Sequence, residues 1–430
     1  MRKLVFAVAG YNLAETGRMI EIAREARKNF EIIFASYGGE FEELIEKEGF
    51  SLRRMEPRLS EKKLRRLRKV LSGQTLNTLG YFSAKELERR VPAEIALFEE
   101  VKPVAVITGW CLSVTISARA TKVPLVNVLH STSVTEYYEA GLQSWPDRNS
   151  FRFVPLLFGN DEEKMNHWVS RMILKMAGPA KPYSNVGAKY GLPRFRNFIE
   201  LLEGDHTLLA DIPEWVGFSD VRPALHYIGP LPARIDTPIP ESVRSMPRDK
   251  PVVYFAMGSS GKPALVSEIL KGFRGKPYRV IAPVKSLIEE IDIDVPENVV
   301  VTGFLPAHLV NPMADVSVIH GGQNTVMNAC LSGTPIVGIG MHPEQQANLD
   351  ACVRKGFAIR LNKKWATASD ILTAIDRLLH DKDAQRKVLA FQKQLQQWNG
   401  PENAARFLVK HYAGVKDTEP QFKNRTRDKH

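Results

Sequence analysis

One pattern constrains this chain above all others: short β-branched runs alternate with longer helical stretches, in two series on either side of a proline-rich segment. In the first half the runs are Leu4 to Ala9, Glu31 to Ala35, Val104 to Thr108 and Leu125 to Leu129. In the second they are Val252 to Met257, Arg279 to Ala282, Val299 to Thr302, Val316 to Ile319, Ile336 to Ile339 and Ala358 to Leu361. A parallel return between neighbouring strands needs a crossover, usually a helix, so this alternation predicts parallel sheets covered by helices. The expected fold is α/β, with two doubly wound Rossmann-like domains facing a central cleft. Ligand should sit in that cleft, beyond the carboxyl ends of the strands.

Gly229 to Pro251 carries the repeated prolines, which fix φ and forbid helix or central strand, so it reads as a linker. The predicted division is an N-terminal domain 1–228, linker 229–251, C-terminal domain 252–385, closing helices 386–415 and a polar, frayed tail 416–430. The closing region reads as helical to about Tyr412, broken at Asn399-Gly400-Pro401. Residues 151–204 are rich in aromatics, including Phe151, Phe153, Phe158 and Trp168. They suit either the lining of an apolar pocket or the local core of an extra helical layer.

Composition narrows the class of partner. The 59 Lys plus Arg against 48 Asp plus Glu give a net charge of +11, which favours an anionic ligand or surface. Aromatics do not interleave with the cations as a nucleic-acid binder requires. The three cysteines form no CxxC pair, so neither a disulfide framework nor a zinc site is expected, and a reducing cytoplasm fits best. Asn12, Glu15 and Arg18 cut short the apolar start, which reads as a first strand and not a leader. The basic run Lys62 to Lys69 sets Leu64, Leu67 and Leu71 on one helical face, suited to peripheral membrane contact or to packing through the leucines.

Chemistry concentrates between Val316 and Asn348. There a buried strand runs into His320-Gly321-Gly322 and a helix. Two glycines at the turn let backbone N–H groups of the first helical turn approach an anion, and Asn324 and Thr325 add side-chain donors. His320 is either a further donor or a satisfied structural histidine. In the next unit a strand passes through Pro343 into a helix with Glu344 and Gln345 in its first turn and Asn348 one turn on. An acid beside an amide suits adjacent sugar hydroxyls, although Glu344 alone would also complement the helix dipole. Gly258-Ser-Ser-Gly-Lys262 is too short for a P-loop, and no GxGxxG follows either first strand, which excludes an ATPase and a nicotinamide dehydrogenase.

Taken together, Gly303-Phe-Leu-Pro306, His320-Gly-Gly-x-Asn-Thr and Glu344-Gln-x-x-Asn resemble the donor-binding signature of the UDP-glycosyltransferase superfamily, above all its macrolide-type bacterial branch. Gly191-Leu-Pro, Tyr227-Ile-Gly-Pro-Leu and the run from Val252 to Gly261 resemble further landmarks in the same order, so about three quarters of the chain is covered. The resemblance implies a GT-B fold, with the last helix crossing back to the first domain, and an inverting transfer of a hexose from a UDP or dTDP sugar to a small hydrophobic acceptor. No metal or other cofactor is implied, the nucleotide-sugar being a co-substrate. It also implies roles: Phe304 stacks on the base and backbone Leu305 reads its edge. His320, Gly321, Gly322, Asn324 and Thr325 hold the phosphates with Ser259 near them, while Glu344 and Gln345 hold the sugar. Asn328 stands where the family has a ribose-binding glutamate, leaving ribose or deoxyribose open. The family's base histidine and its aspartate are missing: helix register puts Glu15 at the histidine's place, and His130 after the fourth run is the other candidate base. A nucleotide-sugar epimerase and a catalytically silent homologue are the alternatives.

Overall fold

The computed structural model describes residues 1–71, 81–147, 154–159, 161–176, 178–219, 221–235, 237–258, 263–289, 291 and 293–414. Apolar β-branched runs become strands buried on both faces, as Leu4, Val5 and Phe6 show with no exposed surface at all. The first sheet has seven strands: β1 Arg2–Val8, β2 Phe30–Ser36, β3 Ser51–Arg54, β4 Ala105–Thr108, β5 Leu125–Leu129, β6 His206–Leu209 and β7 Leu225–Tyr227. Their order is β3-β2-β1-β4-β5-β6-β7. The second has six: β8 Val252–Ala256, β9 Arg279–Ala282, β10 Val299–Val301, β11 Val316–Ile319, β12 Ile336–Gly338 and β13 Ala358–Arg360, in the order β10-β9-β8-β11-β12-β13. Every pairing is parallel. Strand order reverses between β1 and β4 and again between β8 and β11, and at such a switch point the flanking loops part and leave a crevice.

The last helix among the described residues, Gly400–Tyr412, leaves the second unit and packs on the first. Its Ala404, Leu408 and Tyr412 share a core with Met19, Ile20, Ile22 and Ala23 of the helix Leu13–Ala26. Asn403 Nδ2 donates to the Ile228 carbonyl at 2.9 Å and Arg2 Nη1 to the Tyr412 carbonyl at 2.9 Å. The approach is close: a Cβ on Gly400 would lie 2.2 Å from the Pro230 oxygen.

A second tie runs the other way. Asp147, in the first unit's long connection, pairs with Arg360 at 3.1 Å and accepts from the Lys363 N–H at 3.2 Å, while its own N–H donates to Gln346 at 3.1 Å.

Two expectations need correction. The linker holds one helical turn, Glu241–Arg244, because Pro240 precedes it, where a missing N–H costs nothing. The basic helix Glu61–Leu71 follows the packing alternative of its two readings, with Leu64 and Leu67 buried and Lys63 paired to Glu86. The closing region is broken at Asp381 as well as before Gly400, giving the helices Ala368–His380 and Lys382–Leu395. Of the aromatic insertion, Phe158 and Trp168 pack at 5.9 Å while Phe151 and Phe153 lie outside the described residues. No helix among the described residues is long and apolar enough to cross a membrane.

Candidate active site

The β8–β11 crevice receives the glycine turn. His320 follows β11 directly, and two glycines make room for its ring: a Cβ on Gly258 would meet the imidazole at 2.8 Å, and one on Gly322 at 2.6 Å. Burial pushes the imidazole down to about 4, so His320 is neutral at neutral pH and offers a hydrogen bond, not a charge. Gly321 has φ +85° and lets the chain pass 2.6 Å, measured from a notional Cβ, from the Gln345 carbonyl. The helix Gln323–Ser332 then begins with Gly322 at its N-cap and no side chain capping it. Its first-turn N–H groups therefore face the crevice without an internal acceptor.

The predicted donor-site residues divide. Phe304 is 54% exposed on the loop after β10, its face free for stacking, while Leu305 is buried. Asn324 accepts from the Ala233 N–H at 3.2 Å, which ties the linker to the crevice, and Thr325 is half-buried beside it. Asn328 is turned inward: it is buried, and its amide donates to the Asn324 carbonyl at 2.9 Å. Gln345 is also buried, its oxygen accepting from the Met341 N–H at 2.8 Å. Glu344, by contrast, is 43% exposed in the first turn of the helix Pro343–Arg354 and held by Asn348 Nδ2 at 3.2 Å. Even so exposed, Glu344 is crowded enough by the cleft walls to push its carboxyl up, against the opposing pull of Asn348 and Arg18. Ser259 lies outside the described residues.

Across the cleft both candidate bases are engaged. Glu15 has no exposed surface; its Oε1 accepts from the N–H groups of Trp110 at 2.7 Å and Gly109 at 3.2 Å, and its Oε2 from Ala9 at 3.0 Å. It staples the loop after β1 to the loop after β4, at the switch point. Burial raises its carboxyl and the three N–H bonds oppose that. His130 Nε2 lies 2.6 Å from Arg18 Nη2, and an arginine can only donate. Nε2 is therefore the accepting nitrogen and Nδ1 carries the proton, with burial and the Arg18 charge holding the ring well below its usual range. Both side chains thus make these hydrogen bonds within the first unit.

Sequence reasoning passed over three residues here. Arg18 is buried one helical turn beyond Glu15 and feels the charges of Glu15, Glu344 and Asp211. Asp211 accepts from Ser131 N–H at 2.9 Å and Oγ at 2.5 Å, and burial raises its carboxyl to about 6. Gln323 opens the helix Gln323–Ser332 with its side chain buried and neither amide atom hydrogen-bonded. The helical spacing from Glu15 to Arg18 was the only signal available for any of the three.

Residues 212–397 match the family described as UDP-glucoronosyl and UDP-glucosyl transferase. A PGL/p-HBAD biosynthesis rhamnosyltransferase of Mycobacterium bovis (strain BCG / Pasteur 1173P2) is 28% identical over 318 residues, spanning 72% of this chain and 69% of that protein. Among solved structures, the spinosyn forosaminyltransferase SpnP superposes with a TM-score of 0.69 at 17% identity, covering 96% of this chain and 99% of that one. Glycosyltransferase VinC in complex with dTDP gives 0.68 at 18% identity, over 95% and 99%.

Proposed function

We propose that the chain is a GT-B glycosyltransferase of the bacterial branch and that it moves a deoxyhexose of the rhamnosyl kind from a dTDP-sugar to a hydroxyl of a small, largely apolar acceptor, with inversion at the anomeric carbon. The observation that carries this reading is the uncapped N-terminus of Gln323–Ser332 beneath His320. Free N–H groups and a helix dipole there suit a diphosphate both as ligand and as leaving group, because negative charge grows on it as the glycosidic bond breaks. Glu344 holds the sugar hydroxyls and Phe304 stacks on the base. The side chain that would read a ribose diol, Asn328, is committed to its own helix, which supports a deoxyribose nucleotide. The rhamnosyltransferase name of the mycobacterial relative and the dTDP bound to VinC support the same choice of donor.

The test is a thermal-shift series of nucleoside diphosphates, followed by mass analysis of products from dTDP-rhamnose and a mixed acceptor set. At 100 times its dissociation constant dTDP should add about 2.7 kcal/mol of stability, and more than UDP does at equal concentration. No shift with any nucleoside diphosphate overturns the donor site. A larger shift with UDP overturns the deoxyribose assignment alone.

A further inference from the structure

Asp147 lies in the long connection between β5 and β6 and is 8% exposed. Both oxygens of its carboxylate are engaged with the second unit: Oδ1 takes Arg360 Nη1 at 3.1 Å and Oδ2 takes the Lys363 N–H at 3.2 Å. Its own N–H donates to Gln346 Oε1 at 3.1 Å. Gln346 and Asp350 stand one turn apart on the helix Pro343–Arg354, and Asp350 Oδ1 accepts from Arg360 Nε at 2.5 Å. Asp147 therefore grips one face of that helix at two points, directly at Gln346 and through Arg360 at Asp350. The turn leading into the helix is gripped as well. Gln346 Nε2 donates to the Gly340 carbonyl at 3.0 Å, and Lys363 Nζ to the Met341 carbonyl at 2.5 Å. Gln143, buried in the same connection as Asp147, donates to the Pro343 carbonyl at 3.4 Å.

Glu344 and Asn348 share a different face of this helix, joined at 3.2 Å. At 3.6 residues per turn, the direction of one face follows from the other once the helix can neither slide nor roll. The contacts that oppose both motions at Gln346 and Asp350 run to the first unit. Glu344 has need of them, because a hydrogen bond weakens steeply as its angle departs from the straight line. Resting on the reading of Glu344 as the group that holds the sugar, we propose that Asp147 is a positioning residue for donor binding: its grip on Gln346 and Arg360 sets Glu344 against the sugar hydroxyls. The sugar is thereby recognised by the two units jointly. The base and the phosphates, which belong to Phe304 and the helix Gln323–Ser332, do not depend on this grip.

The experiment is a double-mutant cycle on binding. dTDP-rhamnose and bare dTDP are each titrated calorimetrically into wild type, Asp147→Ala, Glu344→Ala and the double variant. Asp147→Ala should weaken dTDP-rhamnose about 10-fold, the lower end for a lost hydrogen bond to a charged group, and leave dTDP at its wild-type affinity. In the Glu344→Ala background the same substitution should cost nothing further, since the group it positions is gone. Equal losses for the two ligands, or none for either, would mean that Asp147 only joins the units, and overturn the proposal. A full second loss in the double variant overturns it too, because Asp147 would then act on the sugar by another route. Should Asp147→Ala fail to fold, Asp147→Asn, which keeps an acceptor for one of its two donors, goes through the same cycle and decides. Wild type that binds neither ligand overturns the proposed function and the role of Glu344 with it, whereas the outcomes above, with wild type binding both, overturn the positioning role alone.

Discussion

Glu15→Gln changes one oxygen to an NH₂ group and nothing else in shape. In the structure the carboxylate accepts from three backbone N–H groups, Ala9, Gly109 and Trp110. An amide oxygen can keep the Gly109 and Trp110 bonds, but its nitrogen then faces the Ala9 N–H, donor against donor in a fully buried site. Leaving one buried donor unsatisfied costs about 1–3 kcal/mol, and each kcal/mol lowers the melting temperature of a domain this size by about 2–4 °C. The expected outcome is a clear loss of thermal stability together with slower transfer, since the same staple sets the rim around Trp110. Thermal melts of the variant beside its turnover on an alcohol acceptor decide between roles. A fall of 100-fold or more in turnover with unchanged melting would assign Glu15 the role of general base.

Among the elements, the glycine turn ahead of Gln323–Ser332 depends most on a single position. Gly321→Ala would put a Cβ 2.6 Å from the Gln345 carbonyl and 2.7 Å from Leu349, on backbone with φ +85°. Strain of this kind costs on the order of 1–3 kcal/mol, and relief would come from pushing the Pro343–Arg354 helix, with Glu344, away from the turn. The prediction is weaker dTDP-sugar binding and a lowered melting temperature; isothermal titration with unchanged affinity would refute it. This turn was legible in sequence because its chemistry is local: glycines, strand and helix are contiguous. The strands with long apolar runs were legible for the same reason. β3 was not, because Ser51–Arg54 is an exposed edge with no apolar run, and β6 and β7 were not, being only four and three residues long with histidines among them. The orientations of Glu15, Asn328 and Gln345 were equally hidden. Their partners are backbone groups, some of them 94 and 95 residues away, and backbone groups leave no mark in composition.

At the scale of the whole molecule, the chain closes on itself. Deleting everything after Trp398 removes Gly400–Tyr412 and bares the apolar surface that Ala404, Leu408 and Tyr412 cover on the first unit. That truncation should aggregate or melt well below the full chain even though both sheets are intact, and size-exclusion chromatography with a thermal melt checks it. A soluble truncation of wild-type stability would mean the crossing helix is dispensable. The same crossing sets a timetable. The first sheet is complete in the nascent chain at Tyr227, yet its cover begins at Gly400. At about 5–20 residues per second the roughly 170 residues between them take about 9–35 s to synthesise. Through that interval the first half waits on the ribosome with an unburied face, long enough to meet other nascent chains. The step that makes the newborn protein safe is therefore the release of its last helix, and a pause in translation after the linker would lengthen the hazard without altering a single residue.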